Sequence, residues 1–202
     1  MNARPVVGVL ALQGAFAAHA ERLATLDVDV IEVRRPVHLE GIDGIVLPGG
    51  ESTAMSNLLK SSGLVDDLGF RLRHGLPAFG TCAGMILLAE EILDGRDDQI
   101  SLGVLPIAVR RNGYGRQIDS FECDLTLADR SESFHAVFIR APKIDRLESD
   151  VEILATHDDV PVLVRRGATM ASSFHPELTD DSRIHEIFLD IVEHHLSNIH
   201  TR

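Results

Sequence analysis

Three observations on the sequence predict an α/β fold with a doubly wound, mainly parallel sheet. Continuous apolar runs recur along the first half of the chain, as strands buried on both faces of a parallel sheet require. Stretches with helical spacing alternate with them. Two glycine-bearing turns, Pro48-Gly49-Gly50 and Gly80-Thr81-Cys82-Ala83-Gly84, each close an apolar run. In a parallel sheet both turns then fall on the edge formed by the strands' carboxyl ends, where ligands of this fold class bind.

Taken in order, Val6 to Leu12 reads as a buried strand, Ala15 to Leu26 as a helix and Val28 to Val33 as the next strand. Ile42 to Leu47 is a third strand, running into the Pro-Gly-Gly turn. Thr53 to Leu59 and Leu64 to Arg73 have the spacing of short helices. The apolar run Leu76 to Phe79 feeds Cys82, and Met85 to Ile92 reads as the helix that follows. From Ser101 the texture changes to β-rich runs at 102–110, 121–127, 136–139, 151–156, 161–165 and 169–174, expected to extend or flank the main sheet as antiparallel strands. Ile184, Ile187, Phe188, Ile191 and Val192 recur at helical spacing, with Asp180, Asp181 or Ser182 available as N-cap. Helices flanking a mainly parallel sheet with added antiparallel strands is therefore the expected architecture. No repeat, low-complexity tract or linker interrupts it, so residues 1–202 are expected to form one domain.

A chain of 202 residues, 45% of them hydrophobic, can bury a substantial core without staples. No apolar run approaches the roughly 18 residues needed to cross a bilayer. The start, Met1-Asn2-Ala3-Arg4-Pro5, lacks the apolar stretch of a secretory leader, and a cytoplasmic location is expected. A formal charge of −12 argues against a nucleic-acid partner, since a polyanion is repelled on average. Two cysteines, Cys82 and Cys123, give no disulfide framework. Cys123 reads as a small apolar residue of its strand.

Cys82 carries the chemistry. A strand, a sharp turn of small residues and a helix form an elbow that exposes a nucleophile in strained backbone geometry, at a helix N-terminus where thiolate is favoured over thiol. A thiolate needs a base to manage its proton, and an imidazole needs a third group to orient it. His175 and Glu177, in His175-Pro176-Glu177, offer both, and in an extended segment residues two apart face the same side. Each piece alone is weak, because a lone cysteine is usually a small buried hydrophobe. Together they imply acyl transfer through a thioester.

The segments Gly80-Thr81-Cys82-Ala83-Gly84-Met85, Leu47-Pro48-Gly49-Gly50-Glu51-Ser52-Thr53 and Ser173-Phe174-His175-Pro176-Glu177-Leu178-Thr179-Asp180-Asp181 resemble the triad-type (class I) glutamine amidotransferases. The opening Gly8 to Phe16 with His19 resembles, within them, the glutaminase subunits of pyridoxal 5′-phosphate synthase. So do Arg111-Asn112, Gly115-Arg116-Gln117, Asp119-Ser120-Phe121 and Phe138-Ile139-Arg140-Ala141-Pro142. The resemblance runs from about Val6 to Leu196. It implies a flavodoxin-like fold of the class I amidotransferase kind and a glutaminase with Cys82, His175 and Glu177 as catalytic residues. An oxyanion hole formed by the N–H of Ala83 and one in the Gly49-Gly50 turn is expected. The resemblance also implies that Gly50, Glu51, Ser52, Arg111, Ile139 and Arg140 hold L-glutamine. No metal or organic cofactor is needed for these steps, and ammonia is expected to pass to a separate synthase subunit in a hetero-oligomer.

Other readings compete. A glutaminase subunit of another amidotransferase, such as the one serving imidazole glycerol phosphate synthesis, shares the three catalytic residues but should lack the Gly-Arg-Gln and Phe-Ile-Arg-Ala-Pro segments. A cysteine hydrolase or peptidase of the related elbow-cysteine superfamily is disfavoured by His-Pro-Glu, and a non-catalytic module would have lost the Cys or His. The ten histidines invite a metal, but His185, His194 and His195 lack the HExxH zinc pattern and read as solvated helix residues. Which of Arg110, Arg111 and Arg140 meets a substrate carboxylate is open.

Overall fold

A computed structural model describes residues 4–113, 120–128 and 132–200; Gly115-Arg116-Gln117 and Asp119 lie outside these. In chain order, β1 (Val6–Leu10), α1 (Phe16–Ala24), β2 (Asp29–Val33), β3 (Gly44–Leu47), α2 (Ser52–Ser62), α3 (Leu64–Arg73), β4 (Ala78–Thr81) and α4 (Ala83–Leu88) form the alternating half. The β-rich half contains β5 (Ala89–Ile92), β6 (Leu105–Arg110), β7 (Ser120–Thr126), β8 (Ser133–Ile139) and β9 (Lys143–Leu147). It continues with β10 (Glu152–His157), β11 (Val160–Arg166) and β12 (Thr169–Ser172), and α5 (Arg183–His200) closes the chain.

The main sheet has the order β10-β11-β12-β4-β3-β1-β2. Strands β2, β1, β3, β4 and β12 run parallel, and β11 and β10 add an antiparallel extension. The chain moves from β1 outward to β2 and then returns to the other side of β1 for β3, so the winding reverses there. Strands β1, β3 and β4 are apolar because each face of the sheet is covered. Ile45 and Leu47 of β3 pack into one cluster with Met55, Leu59 and Leu68 from α2 and α3. Val46 between them joins the opposite cluster with Leu23 of α1 and Phe188 and Val192 of α5.

The structure departs from the sequence reading at several places. The apolar run Met85 to Ile92 is not one helix: α4 ends at Leu88 and 89–92 is β5, paired with β6. Over so short an apolar run the two periodicities are indistinguishable. The β-rich segments do not all flank the main sheet as antiparallel strands. β12 is parallel to β4, while β5-β6-β9 and the hairpin β7-β8 form separate sheets. Strand β9, Lys143-Ile144-Asp145-Arg146-Leu147, is half polar and carries no apolar run that sequence pattern would detect. Helix α2 also runs longer than its apolar spacing suggests, to Gly63, which caps it at φ 73°. At α5 the carboxylate of Asp181 accepts from the Arg183 N–H at 3.0 Å, and the Ser182 carbonyl accepts from Glu186.

Packing behind the elbow is close enough to be tested. A Cβ on Gly84 would collide with the backbone carbonyl of Leu47 on β3, which cannot move without shifting the sheet. Gly84→Ala should therefore destabilise the fold by about 3 kcal/mol. Gly167→Ala, where the residue has φ 56° but open space around it, should cost only about 1 kcal/mol. Urea unfolding of the two variants measures the difference; equal losses would show that β3 yields.

Candidate active site

Cys82 sits between the end of β4 and the start of α4 with φ 49° and ψ −103°, a left-side conformation that a non-glycine residue adopts only under constraint. Its N–H donates to the Ser172 carbonyl of β12 at 2.8 Å, and its carbonyl accepts from Ile86 at 3.2 Å. The glycines on either side are needed for close approach, since a Cβ on Gly80 would run into the Gly84 backbone. The expected elbow is present, though α4 has only six residues, so its dipole is smaller than a long helix would supply.

His175 follows β12, the strand adjacent to β4, and its N–H is held by the Val137 carbonyl of β8 at 2.9 Å. The ring's Nδ1 lies 2.8 Å from Glu177 Oε1, while the Cys82 thiol, which shares the cavity with the ring, is directed at the Ile139 carbonyl at 3.9 Å. The segment is not extended as expected: 176–178 form a single 3₁₀ turn opened by Pro176, and it is this turn that folds the carboxylate back against its own histidine. Burial opposes charge on the His175 ring, but the neighbouring Cys82 and the Glu177 carboxylate, which accepts from Nδ1, push its pKa up to about 10. Burial likewise opposes charge on Glu177, yet His19 and then His175 hold its carboxyl below the usual range. The pair is therefore an imidazolium beside a carboxylate at neutral pH.

The thiol and ring open into a cavity of about 240 Å³. Gly50, Glu51, Ser52, Arg111, Ile139 and Arg140 all line it with Cys82 and His175, so the structure brings these sequence-selected residues together. Gly49 lies behind His175, where a Cβ would strike the ring, and Ala83 is buried directly after the nucleophile. Arg111 is fixed by Nη1 contacts to Thr53 Oγ1 at 3.1 Å and Gln99 Oε1 at 3.0 Å. Arg140 carries a positive φ of 43°. Arg110 turns elsewhere, pairing with Asp145 at 2.5 Å. Glu51 caps α2 by accepting from the N–H groups of Thr53 and Ala54; despite burial, these bonds and Arg111 hold its carboxyl below the usual range.

Sequence reasoning left several contributors unassigned. Ile86 and Asn112 also line the cavity; Ile86 lies one turn after the elbow on α4, a spacing that could have found it. Gln13 accepts from the Glu51 N–H at 3.0 Å, and the Ala15 N–H donates to the Gly49 carbonyl at 3.0 Å, so the loop after β1 braces the glycine turn. His185 is not a solvated helix residue: it is fully buried, with Nε2 3.0 Å from Nδ1 of buried His19. Cys123 is partly buried and 3.6 Å from His157 Nδ1, and burial followed by Asp124 and Asp158 pushes its thiol pKa up.

An elbow cysteine at the carboxyl edge of this sheet, with a His and Glu from the neighbouring strand, defines a protein of the triad-type glutamine amidotransferase class. The family model for the SNO glutamine amidotransferase family matches residues 9–194, and the chain belongs to that family. Pyridoxal 5′-phosphate synthase subunit PdxT of Mycobacteroides abscessus is 53% identical over 188 residues, 93% of this chain and 97% of that one. Its counterpart in Rhodococcus jostii is 52% identical, covering 94% and 98%. A crystal structure of a glutamine amidotransferase aligns with a TM-score of 0.87 at 50% identity, covering 93% and 98%. PurLQS from Thermotoga maritima, at 14% identity and a TM-score of 0.67 over 93% of this chain and 99% of that one, shares the fold.

The buried histidines make stability depend on pH. Burial, reinforced by His19, lowers the pKa of His185 to about 3, against about 6.5 in the unfolded chain. Between these values the unfolded state binds the proton and the folded state does not. His185 therefore contributes stability above about pH 6.5 that is lost as pH falls toward 3. Urea midpoints should decline over this window, and less steeply in His185→Phe; an equal slope in the variant would exclude His185 as a cause.

Proposed function

We propose that Cys82, His175 and Glu177 carry out the glutaminase reaction of this chain, and that the ammonia serves a pyridoxal 5′-phosphate synthase. The observation that carries this is the pairing of the strained Cys82 with a buried, Glu177-bonded His175 at one end of a cavity. A fixed guanidinium and a carboxylate line the same cavity. Arg111 and Glu51 match the zwitterionic amino-acid end of L-glutamine, a guanidinium suiting an α-carboxylate in bidentate geometry. The side-chain amide then reaches the sulfur.

The thiolate attacks the amide carbon, and the oxyanion is met by the N–H of Ala83 and one from the Gly49-Gly50 turn. His175, already protonated, gives its proton to the leaving ammonia. It then takes one from the water that hydrolyses the glutamyl thioester to glutamate. Glu177 stabilises the imidazolium throughout. Relatives named as synthase subunits over almost their whole length support delivery of ammonia to a second subunit within a hetero-oligomer. Release into solvent would waste glutamine. The Gly49-Gly50 peptide is the element best placed to make activity depend on that partner: turning its N–H requires breaking the Ala15–Gly49 hydrogen bond, whose energy is about 1 kcal/mol.

Cys82→Ala should abolish ammonia release, and a glutamine-analogue electrophile should label Cys82 while sparing Cys123. Labelling at Cys123, or an active alanine variant, would overturn the assignment. Glu177→Gln should cost less in kcat than His175→Ala, and the double variant little more than His175→Ala alone, since triad members act as a unit; additive losses would put Glu177 outside the triad. Ammonia release from glutamine should rise by about a hundredfold when the synthase subunit is added, the size expected for gaining one oxyanion donor. Equal rates with and without it would end the case for partner control and leave the triad standing.

A further inference from the structure

Glu177 has two carboxylate oxygens and His175 engages only Oε1. The other, Oε2, is buried behind the site, where an oxygen cut off from water needs a donor. His19 of α1 faces it, with Nε2 3.2 Å away. The same nitrogen is 3.1 Å from Oγ1 of Thr81, the residue before the nucleophile. Among the described residues Oε2 has no hydrogen-bond partner of good geometry, and His19 Nε2 stands next to it while bonded to Thr81. On its far side the His19 ring rests against His185 of α5, and both side chains are fully buried.

We propose that His19, seated on His185, is a positioning residue of the active site, holding the second oxygen of Glu177 through a neutral ring and so aiming the carboxylate at His175. The inference rests on the triad assignment above and extends it one shell inward. An ionised carboxylate only accepts hydrogen bonds, so the His19 proton belongs on Nε2, between Thr81 and Glu177 and aimed more nearly at the hydroxyl. Nδ1 is then an acceptor and receives the Nε2–H of His185. The chain ends at the unprotonated Nδ1 of His185, which has no hydrogen-bond partner among the described residues.

Neutrality is what makes the arrangement useful. A cationic His19 would compete with His175 for the single negative charge of Glu177; a neutral N–H orients the carboxylate and leaves that charge to His175. Burial lowers the pKa of His19, as does the His175 cation, against the opposing pull of Glu177. His185 is lowered by burial, by His19 and by Arg22 on the next turn of α1, also against Glu177. These, with Cys82 beyond His175, are the titratable groups that face the pair. Thr81 ties the same ring to the nucleophile's own strand, so one side chain references the acid to the elbow.

The test is steady-state glutaminase activity of the chain with its synthase subunit, and the rate of Cys82 modification by the diazoketone analogue of glutamine, both across pH. His19→Phe fills the space without a donor. It should lower kcat by about a hundredfold, the low end of the range for a disturbed proton-handling group, with KM changed less than about twofold. It should also narrow the pH window from both sides. The acid limb rises because Glu177 loses a donor, and the alkaline limb falls because His175 loses its oriented carboxylate. His19→Gln, whose amide can donate, should recover part of both limbs, and His185→Phe should shift them the same way by less. Should His19→Phe not fold, the pair His19→Gln and His19→Met makes the same comparison at similar volume with and without a donor. A reduced kcat with unmoved limbs, or identical limbs in the Gln and donor-free variants, would overturn the proposal. Cys82→Ala run alongside separates this from failure of the triad: an active Cys82→Ala sinks the underlying reading, whereas an inactive one with unmoved limbs in His19 variants sinks only the positioning role.

Discussion

The hydrogen bond from the Cys82 N–H to the Ser172 carbonyl is the constraint on which the site depends. It joins the end of β4 to the end of β12, two parallel neighbours in register from Thr169 opposite Ala78 to Ser172 opposite Thr81. From that junction the chain turns one way into the elbow and the other way into Ser173-Phe174-His175. A positive φ at a cysteine costs on the order of 1–3 kcal/mol and persists only where surroundings over-determine it. Here they do, through the strand pairing on one side and the Gly80–Gly84–Leu47 contact on the other.

Electrostatics builds on that frame. His175 and Glu177 are both buried, and a buried ion pair survives only with its remaining hydrogen-bonding capacity met. The 3₁₀ turn at Pro176 supplies one partner for the carboxylate, and His19 of α1 stands 3.2 Å from the other oxygen. A site whose exposed face is a nucleophile is thus supported from a face built by two helices remote in sequence. That is also why the apolar cluster beneath α1 and α5 contains two polar rings, which edge against Phe79.

Much of this was legible in the sequence, for identifiable reasons. Cys82 stood out because glycines on both sides of a strand-to-helix junction mark a place where backbones must approach closely, and the catalytic histidine and glutamate lie in one tripeptide. Strands β1 and β3 were legible because burial on two faces leaves a continuous apolar run. What escaped was encoded in tertiary contacts. Nothing local to Lys143–Leu147 marks it as β9; its partner β6 decides. The strand β5 shares its apolar run with α4, and the boundary at Leu88 is set by pairing to Leu105. His185 reads as solvated in the sequence because it belongs to no zinc pattern, although Ile184 and Phe188 flank it on α5. Its burial is decided by the facing α1, where His19 offers a partner that sequence spacing cannot reveal.

The origin of His175 on the strand beside that of Cys82 has a consequence for how the molecule tolerates change. Neighbouring parallel strands lie about 4.8 Å apart, so the segments that carry sulfur and imidazole leave the sheet side by side. Between β4 and β12 the chain extends the sheet beyond β12 with β10 and β11 and builds the separate β5-β6-β9 sheet and the β7-β8 hairpin, none of which comes between those two strands. Away from the Val137 carbonyl that holds His175 and from the cavity-lining Arg111, Ile139 and Arg140, these modules can be reshaped to meet a different neighbour while the reacting pair keeps its distance. The architecture separates the ruler from the adaptor, and the adaptor is the part free to diverge.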